Sequence, residues 1–138
     1  EHMYRSGDKW NTYGSRYSSD WHCDVFEVLS DFGLSARIKL NEVCSILGFP
    51  GKFGIDGSKV ATMYDDGRIE EIRSYCETDV INTYIVYLRL MHHQGVITTN
   101  SYNQSISDLI KKLNNSDKLH FLEFYKEWGI KCKDKFYI

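Results

Sequence analysis

Residues 68–91 read RIEEIRSYCETDVINTYIVYLRLM. Apolar or small side chains recur in this stretch at gaps of three and four positions, the spacing typical of an amphipathic helix. This repeat runs through Ile69, Ile72, Cys76, Val80, Thr83, Tyr87 and Met91. We therefore predict a long helix that ends near Gly95, leaving open a break near Ser74, with this repeat in the core. Replacing Val80 or Tyr84 by Asp should then cost several kcal/mol.

Two polar residues within this helix are candidates for chemistry. Tyr75 and Asp79 are four positions apart, so their side chains project from one face, and Asn82 continues that face beside the apolar repeat. A carboxylate at the edge of a core, with a phenol one turn away, can hold a metal ion and orient a water molecule. The same pair arises by chance on many solvated helices, so an ordinary surface is the alternative.

The second half of the predicted helix is apolar on nearly every side. Ile81, Ile85, Val86, Leu88 and Leu90 lie outside the main repeat. A helix that is apolar on every side is buried on every side. The cover could come from the two C-terminal helices, from elements outside this chain, or in part from both. A second apolar face of Ile81, Ile85, Val86 and Leu90, if left uncovered, would favour self-association, most simply as a two-fold dimer.

The rest of the chain is also predicted to be mainly helical. Short helices are expected over 39–47, ended by Gly48, and over 58–64, capped by Ser58. Two longer ones follow, the first capped by Thr98 or Thr99 and ending near residue 113, the second over 117–128. Residues 21–29 are ambiguous between strand and helix. Residues 1–20 are expected to be a loose N-terminal arm, and residues 21–138 the folded domain.

Composition places the chain among proteins with one modest core. It has 138 residues and a formal net charge of −2, so any nucleic-acid binding must rely on a local patch. No apolar run approaches the length of a membrane span and no secretory signal is visible. The four cysteines, Cys23, Cys44, Cys76 and Cys132, are widely spaced, which argues against zinc or a disulfide framework. A cytoplasmic location is the expectation.

Five ordered blocks carry a resemblance to a known family. They are VLSDFG at 28–33, KLNEVC at 39–44, LGFPGK at 47–52, GIDGS at 54–58 and YCETDV at 75–80. Together they resemble the predicted 3′-5′ exonuclease family related to the proofreading domain of family B DNA polymerases. That family belongs to the DEDD nucleases of the ribonuclease H-like superfamily. The resemblance covers roughly residues 20–93, and the C-terminal part is similar more loosely.

The resemblance implies an activity and a site. It implies hydrolysis of a terminal phosphodiester with two divalent ions, Mg²⁺ or Mn²⁺, for which oxygen ligands are preferred. Tyr-x-x-x-Asp is the family's last catalytic motif. Asp79 would therefore ligate the ion that activates water, and Tyr75 would orient that water. Lys39, Lys52 and Lys59 could contact the phosphates of a single-stranded end, although ordinary solvated lysines are an equal alternative.

The resemblance also exposes a gap. The family's earlier motifs, an Asp-x-Glu on the first strand and a later Asp, would lie before residue 20, and residues 1–20 contain no Asp-x-Glu. The expected fold is therefore the C-terminal helical part of a ribonuclease H-like α/β exonuclease, with most of the central sheet missing from this chain. One hypothesis is an enzyme completed by a separate N-terminal half and inactive as this chain alone. The alternative is a non-catalytic helical remnant or partner-binding module.

Overall fold

A computed structural model describes residues 22–52, 55 and 57–138 of the chain. Six α-helices lie in these ranges, and no strand occurs within them: α1 (Val25–Leu29), α2 (Leu40–Leu47), α3 (Val60–Asp65), α4 (Ile69–His93), α5 (Thr99–Asn114) and α6 (Leu119–Cys132). The predicted mainly helical character is thus confirmed, while the ribonuclease H-like context remains an expectation from the resemblance. The predicted arm at 1–20 lies outside the described residues. None of the described helices has the length and apolar character needed to cross a membrane.

The chain divides into two compact units, Glu1–Arg37 and Ile38–Ile138. In the first unit, Asp24 caps α1, because its carboxylate accepts hydrogen bonds from the Phe26 and Glu27 N–H groups at 3.0 and 3.2 Å. A 3₁₀ turn, Asp31–Gly33, follows this helix. The ambiguous segment at 21–29 is therefore helical over Val25–Leu29. The division predicted at residue 20 stays a prediction.

The second unit begins with the short helices α2 and α3. The Lys39 N–H donates to the Glu42 carboxylate at 2.8 Å where α2 begins, and Gly48 ends the helix with a φ of 73°, as predicted. Ser58 was predicted to cap the next helix, and this is wrong. A 3₁₀ turn, Gly57–Lys59, contains Ser58, and the N-cap of α3 is Lys59.

The long helix α4 is continuous over 25 residues. No break occurs at Ser74, whose hydroxyl donates to the Glu70 carbonyl at 2.9 Å within the helix. The chain leaves the helix through Gln94 and Gly95, and Gly95 has a φ of 72°. The predicted end of this helix is therefore confirmed.

Helices α5 and α6 complete the second unit. Thr98 caps α5 by accepting a hydrogen bond from the Ser101 N–H at 3.2 Å. Helix α6 runs past the predicted end at residue 128 to Cys132, and Lys133 ends it in the left-handed conformation. The extra turn places Lys131 and Cys132 inside the helix, where their backbone approaches Gly48 and the Lys131 ammonium reaches the Pro50 carbonyl.

Aromatic side chains form the centre of the second unit. Trp128 on α6 is almost fully buried and meets three other rings edge to face: Phe49, Phe124 and Phe136, at centroid distances of 6.2, 6.3 and 5.2 Å. Edge-to-face contacts suit the charge distribution of aromatic rings and add to the free energy of burying them. The Phe49 contact fixes the chain that leaves α2 against the C-terminal helix.

The side of α4 that is buried differs from the predicted one. Val80 and Tyr84, expected in the core, are 68% and 40% exposed, and Cys76 is also exposed. The buried residues of α4 are Thr78, Asn82, Ile85, Val86 and Leu88. The prediction failed because the apolar content of α4 is similar on both sides, so the repeat alone could not select the face against which other helices pack.

The burial of α4 also changes the expectation of self-association. Ile85 and Val86 were predicted to form part of an uncovered apolar face, but both are buried within this chain. Helices α2, α3, α5 and α6 all contact α4. The argument for a dimer through Ile85 and Val86 is therefore wrong, while the oligomeric state itself stays a prediction.

Candidate functional site

The predicted site residues lie on the packed side of α4. Tyr75 and Asp79 are both half-buried and one helical turn apart, with the buried Thr78 and Asn82 beside them. The structure therefore brings the two candidate residues to the boundary between core and solvent, where a carboxylate can be both accessible and held in place.

Helix α2 approaches α4 next to Asp79. Burial raises the pKa of the Cys44 thiol to about 11, and the negative charge of Asp79 adds to this rise. The thiol is therefore neutral near pH 7, and its Sγ lies 3.5 Å from Asn82 Oδ1. Among the described residues, no hydrogen bond or ion pair engages the Asp79 carboxylate. It is thus a half-buried anion that the packing has left available.

Asn82 joins α4 to the turn that follows α2. Its side chain is fully buried, and its amide makes two hydrogen bonds to one residue, Gly51. The Gly51 N–H donates to Asn82 Oδ1 at 3.0 Å, and Asn82 Nδ2 donates to the Gly51 carbonyl at 2.7 Å. This double contact satisfies the buried amide, which explains why a polar side chain occupies the core side of α4.

Two further side chains hold the same turn. Lys131 Nζ donates to the Pro50 carbonyl at 2.6 Å, and the Lys52 N–H donates to Asn41 Oδ1 at 3.1 Å. Gly51 has a φ of 71°, and a Cβ atom there would lie 2.5 Å from Asn41 Oδ1. Residues on α2, α4 and α6 thus fix three consecutive residues, 50–52, and glycine is required at the middle position.

The phenol of Tyr75 lies next to another glycine. A Cβ atom built on Gly57 would be 3.7 Å from Tyr75 Oη, so the backbone of the 3₁₀ turn passes close to the hydroxyl. A cleft of about 300 Å³ opens beside it. The cleft is lined by Ile55, Glu70, Glu71, Ser74, Tyr75, Thr78, His120 and Glu123. Glu71 is already engaged there, because Arg68 forms a close ion pair with it.

The three candidate lysines are all exposed. Lys39 precedes α2, Lys52 follows the turn held by Asn82, and Lys59 ends the 3₁₀ turn beside Tyr75. The segment between Lys52 and Lys59 therefore begins next to Asn82 and ends next to Tyr75, the two residues that flank Asp79 on α4. Contact of these lysines with a nucleic acid stays a prediction.

The described residues do not by themselves fit a centre of two metal ions. Two divalent ions require several carboxylates to neutralise their charge. Within the described ranges, no three His, Cys, Asp or Glu side chains are grouped so that they could hold a metal ion. Asp79 could serve as one metal ligand, and the other ligands would have to come from elsewhere.

The opposite side of α4 carries a different surface, which the sequence did not predict. An apolar groove of about 700 Å³ lies over Val80, Ile81 and Tyr84, with Leu109 and Phe121 on its other walls. At its edge, the Glu77 carboxylate binds Lys118 Nζ at 2.6 Å and His120 Nε2 at 2.7 Å. These hydrogen bonds lower the pKa of Glu77 to about 2, and the bond from Lys118 has the largest effect.

Sequence reasoning missed the structural roles of Asn82 and Lys131. Asn82 had a detectable signal, because an amide within an otherwise apolar helix must find partners if it is buried. Lys131 had none, since its partner is a backbone carbonyl 81 positions away.

A comparison with family models identifies what the chain is similar to. A model described as a predicted 3′-5′ exonuclease related to the exonuclease domain of PolB matches residues 2–128. This confirms the resemblance drawn from the sequence blocks and extends it on both sides of 20–93. No curated protein and no solved structure matches the chain.

Proposed function

Because the chain belongs to the family of predicted 3′-5′ exonucleases related to the exonuclease domain of PolB, we propose that it forms part of a metal-dependent enzyme. That enzyme would shorten a single-stranded nucleic acid from its 3′ end. The observation that carries the proposal is the position of Asp79, a half-buried carboxylate without a hydrogen-bond partner in the described part of the chain. It lies one turn from the Tyr75 phenol, on the side of α4 that the backbone approaches at Gly51 and Gly57.

In this proposal Asp79 is one oxygen ligand of the metal centre, and Tyr75 orients a water molecule through its hydroxyl. Mg²⁺ or Mn²⁺, when bound, supplies an activated water and stabilises the leaving oxygen. The described residues lack the other carboxylates that such a centre needs. In this proposal those ligands come from the N-terminal part of the domain, supplied upstream in the same gene or as a separate polypeptide, and the 138-residue chain alone is inactive.

The test compares two preparations on one substrate. A single-stranded DNA labelled at its 5′ end is incubated with Mg²⁺ or Mn²⁺ and either the 138-residue chain or the complete product, which is the chain together with the N-terminal part of the domain. We expect a ladder of 3′-shortened products from the complete product and none from the chain. A parallel RNA strand would determine which nucleic acid is the substrate.

Asp79→Asn in the complete product should abolish the ladder, because it removes a ligand's charge without changing its shape. Asp117→Asn is the matched control, since Asp117 is an exposed carboxylate in the turn before α6. Metal-dependent shortening by the chain alone, lost in Asp79→Asn, would contradict the proposed inactivity. Equal activity of both Asn variants would contradict the role of Asp79.

A second candidate function is a non-catalytic helical module that binds a partner. The observation that favours it is the burial of Ile85 and Val86, since α4 then needs no external sheet to cover them. An Asp-x-Glu encoded upstream of residue 1 in the same gene would favour the enzyme, and its absence from the neighbouring genes would favour the module. The proposed homodimer is a separate question, which sedimentation equilibrium would decide. The proposed N-terminal half and the proposed cytoplasmic location are also separate questions.

A further inference from the structure

The starting observation is the full burial of the Asn82 side chain. Burying an amide is costly unless its donor and acceptor are both used. Both are used on Gly51, at 3.0 and 2.7 Å, and the Cys44 thiol also approaches Asn82 Oδ1. Asn82 therefore fixes the position of the Gly51 backbone relative to α4.

The held turn lies close to Asp79. Cys44 forms the connection, because its thiol contacts Asn82 and is also near enough to the Asp79 carboxylate to respond to that charge. Asp79 precedes Asn82 by one turn of α4. The turn that Asn82 holds and the candidate catalytic carboxylate are therefore neighbours on one side of the helix.

The residue that leaves this turn is a cation. Lys52 follows Gly51 directly, is exposed, and has its backbone N–H held by Asn41. Lysine contacts to phosphates fix the register of a nucleic acid relative to the protein, and the register is fixed more closely when the lysine's backbone is held in place. The rigid anchoring of residues 50–52 provides that condition.

From these contacts we propose that Asn82 is a positioning residue for nucleic acid. It holds the turn at residues 50–52 so that the Lys52 ammonium binds a phosphate of the strand whose end reaches Asp79. This inference rests on the proposed function, because it assumes a single-stranded nucleic acid on the Asp79 side of α4. Asn82 itself touches no substrate.

The test is a double-mutant cycle on DNA affinity rather than on cleavage. The 138-residue chain is titrated into a fluorescent single-stranded oligonucleotide over a range of salt concentrations, with no divalent metal. We expect Lys52→Ala to lower the affinity about threefold and to reduce the salt slope by about 0.7, the value for one phosphate contact on a single strand. Asn82→Ala should cause a similar loss. In the double variant the two losses should not add, because a displaced Lys52 has no contact left to lose.

Asn103 provides a matched control. Its amide makes the same double contact to a backbone, donating to the Ile138 carbonyl and accepting from the Ile138 N–H, both at 3.0 Å. Asn103→Ala should leave DNA affinity and salt slope unchanged. If Asn82→Ala does not fold, Asn41→Ala replaces it, since Asn41 is exposed and holds the Lys52 N–H directly.

The outcomes separate the two proposals. Binding by the wild-type chain with coupled losses in the cycle supports the positioning role. Binding with additive losses, or an equal effect of Asn103→Ala, overturns the positioning role and leaves the proposed function standing. No binding by the wild-type chain overturns the positioning role together with the nucleic-acid contact of the proposed function.

Discussion

The two sides of α4 are similar in apolar content but differ in what surrounds them. On one side Asn82, Ile85 and Val86 are buried, and a buried amide ties the helix to the turn after α2. On the other side Val80 and Tyr84 lie over an open groove, and the Glu77 ion pairs join α4 to the start of α6. The comparison teaches that a polar residue can mark the core side of a helix when its side chain forms hydrogen bonds to buried backbone N–H and C=O groups.

The largest expected effect tests which side is the core. Ile85→Asp should destabilise the chain by several kcal/mol, because it places an unpaired charge in a fully buried position. Val80→Asp should change the free energy of unfolding by less than about 1 kcal/mol, since that side chain is 68% exposed. Urea unfolding of both variants measures the difference. Equal losses, or a greater loss for Val80→Asp, would reverse our assignment of the two sides.

The next effect concerns the buried amide. Asn82→Ala should cost about 2–4 kcal/mol, because it leaves the Gly51 N–H and carbonyl buried without partners. Asn103→Ala should cost about 1 kcal/mol or less, since the Ile138 groups it serves are exposed and can bind water. Thermal melts of the two variants give the comparison. A smaller loss for Asn82→Ala than for Asn103→Ala would show that the turn is not held as described.

The sequence predicted elements more successfully than it predicted packing. Local signals were sufficient for α2, whose glycine end lies where expected, and for α5, where Thr98 is the cap. The core side of α4 could not be predicted, because it depends on contacts with residues as distant in sequence as Gly51. The pairing of Tyr75 with Asp79 followed from helical spacing alone, whereas the surroundings of Asp79 required the fold.

On the groove side, the Glu77 ion pairs predict a pH dependence. Its pKa is lowered from 4.5 to about 2 by Lys118 and His120, so its contribution to stability is complete above about pH 4.5 and is lost as the pH falls towards 2. Glu77→Gln should therefore lower the melting temperature at pH 6 and make its fall between pH 5 and pH 2 shallower. An unchanged acid profile would show that these contacts do not form in solution.

The smallest expected effect on stability is that of Asp79→Asn. No hydrogen bond or ion pair to its carboxylate occurs among the described residues, so the substitution should change the free energy of unfolding by less than about 0.5 kcal/mol, or stabilise slightly. Urea unfolding at pH 7 is the measurement. A loss of several kcal/mol would mean that Asp79 is a structural residue rather than an available carboxylate.

The central claim is that the Asp79 side of α4 is the functional side, and nuclear magnetic resonance tests it most directly. A ¹⁵N-labelled chain is titrated with a short single-stranded oligonucleotide, and the amide shift changes are mapped by residue. Our account predicts that the largest changes occur at Gly51, Lys52, Gly57, Tyr75 and Asp79. Changes confined to the groove residues Tyr84, Leu109 and Phe121, or the absence of any change at saturating oligonucleotide, would contradict it.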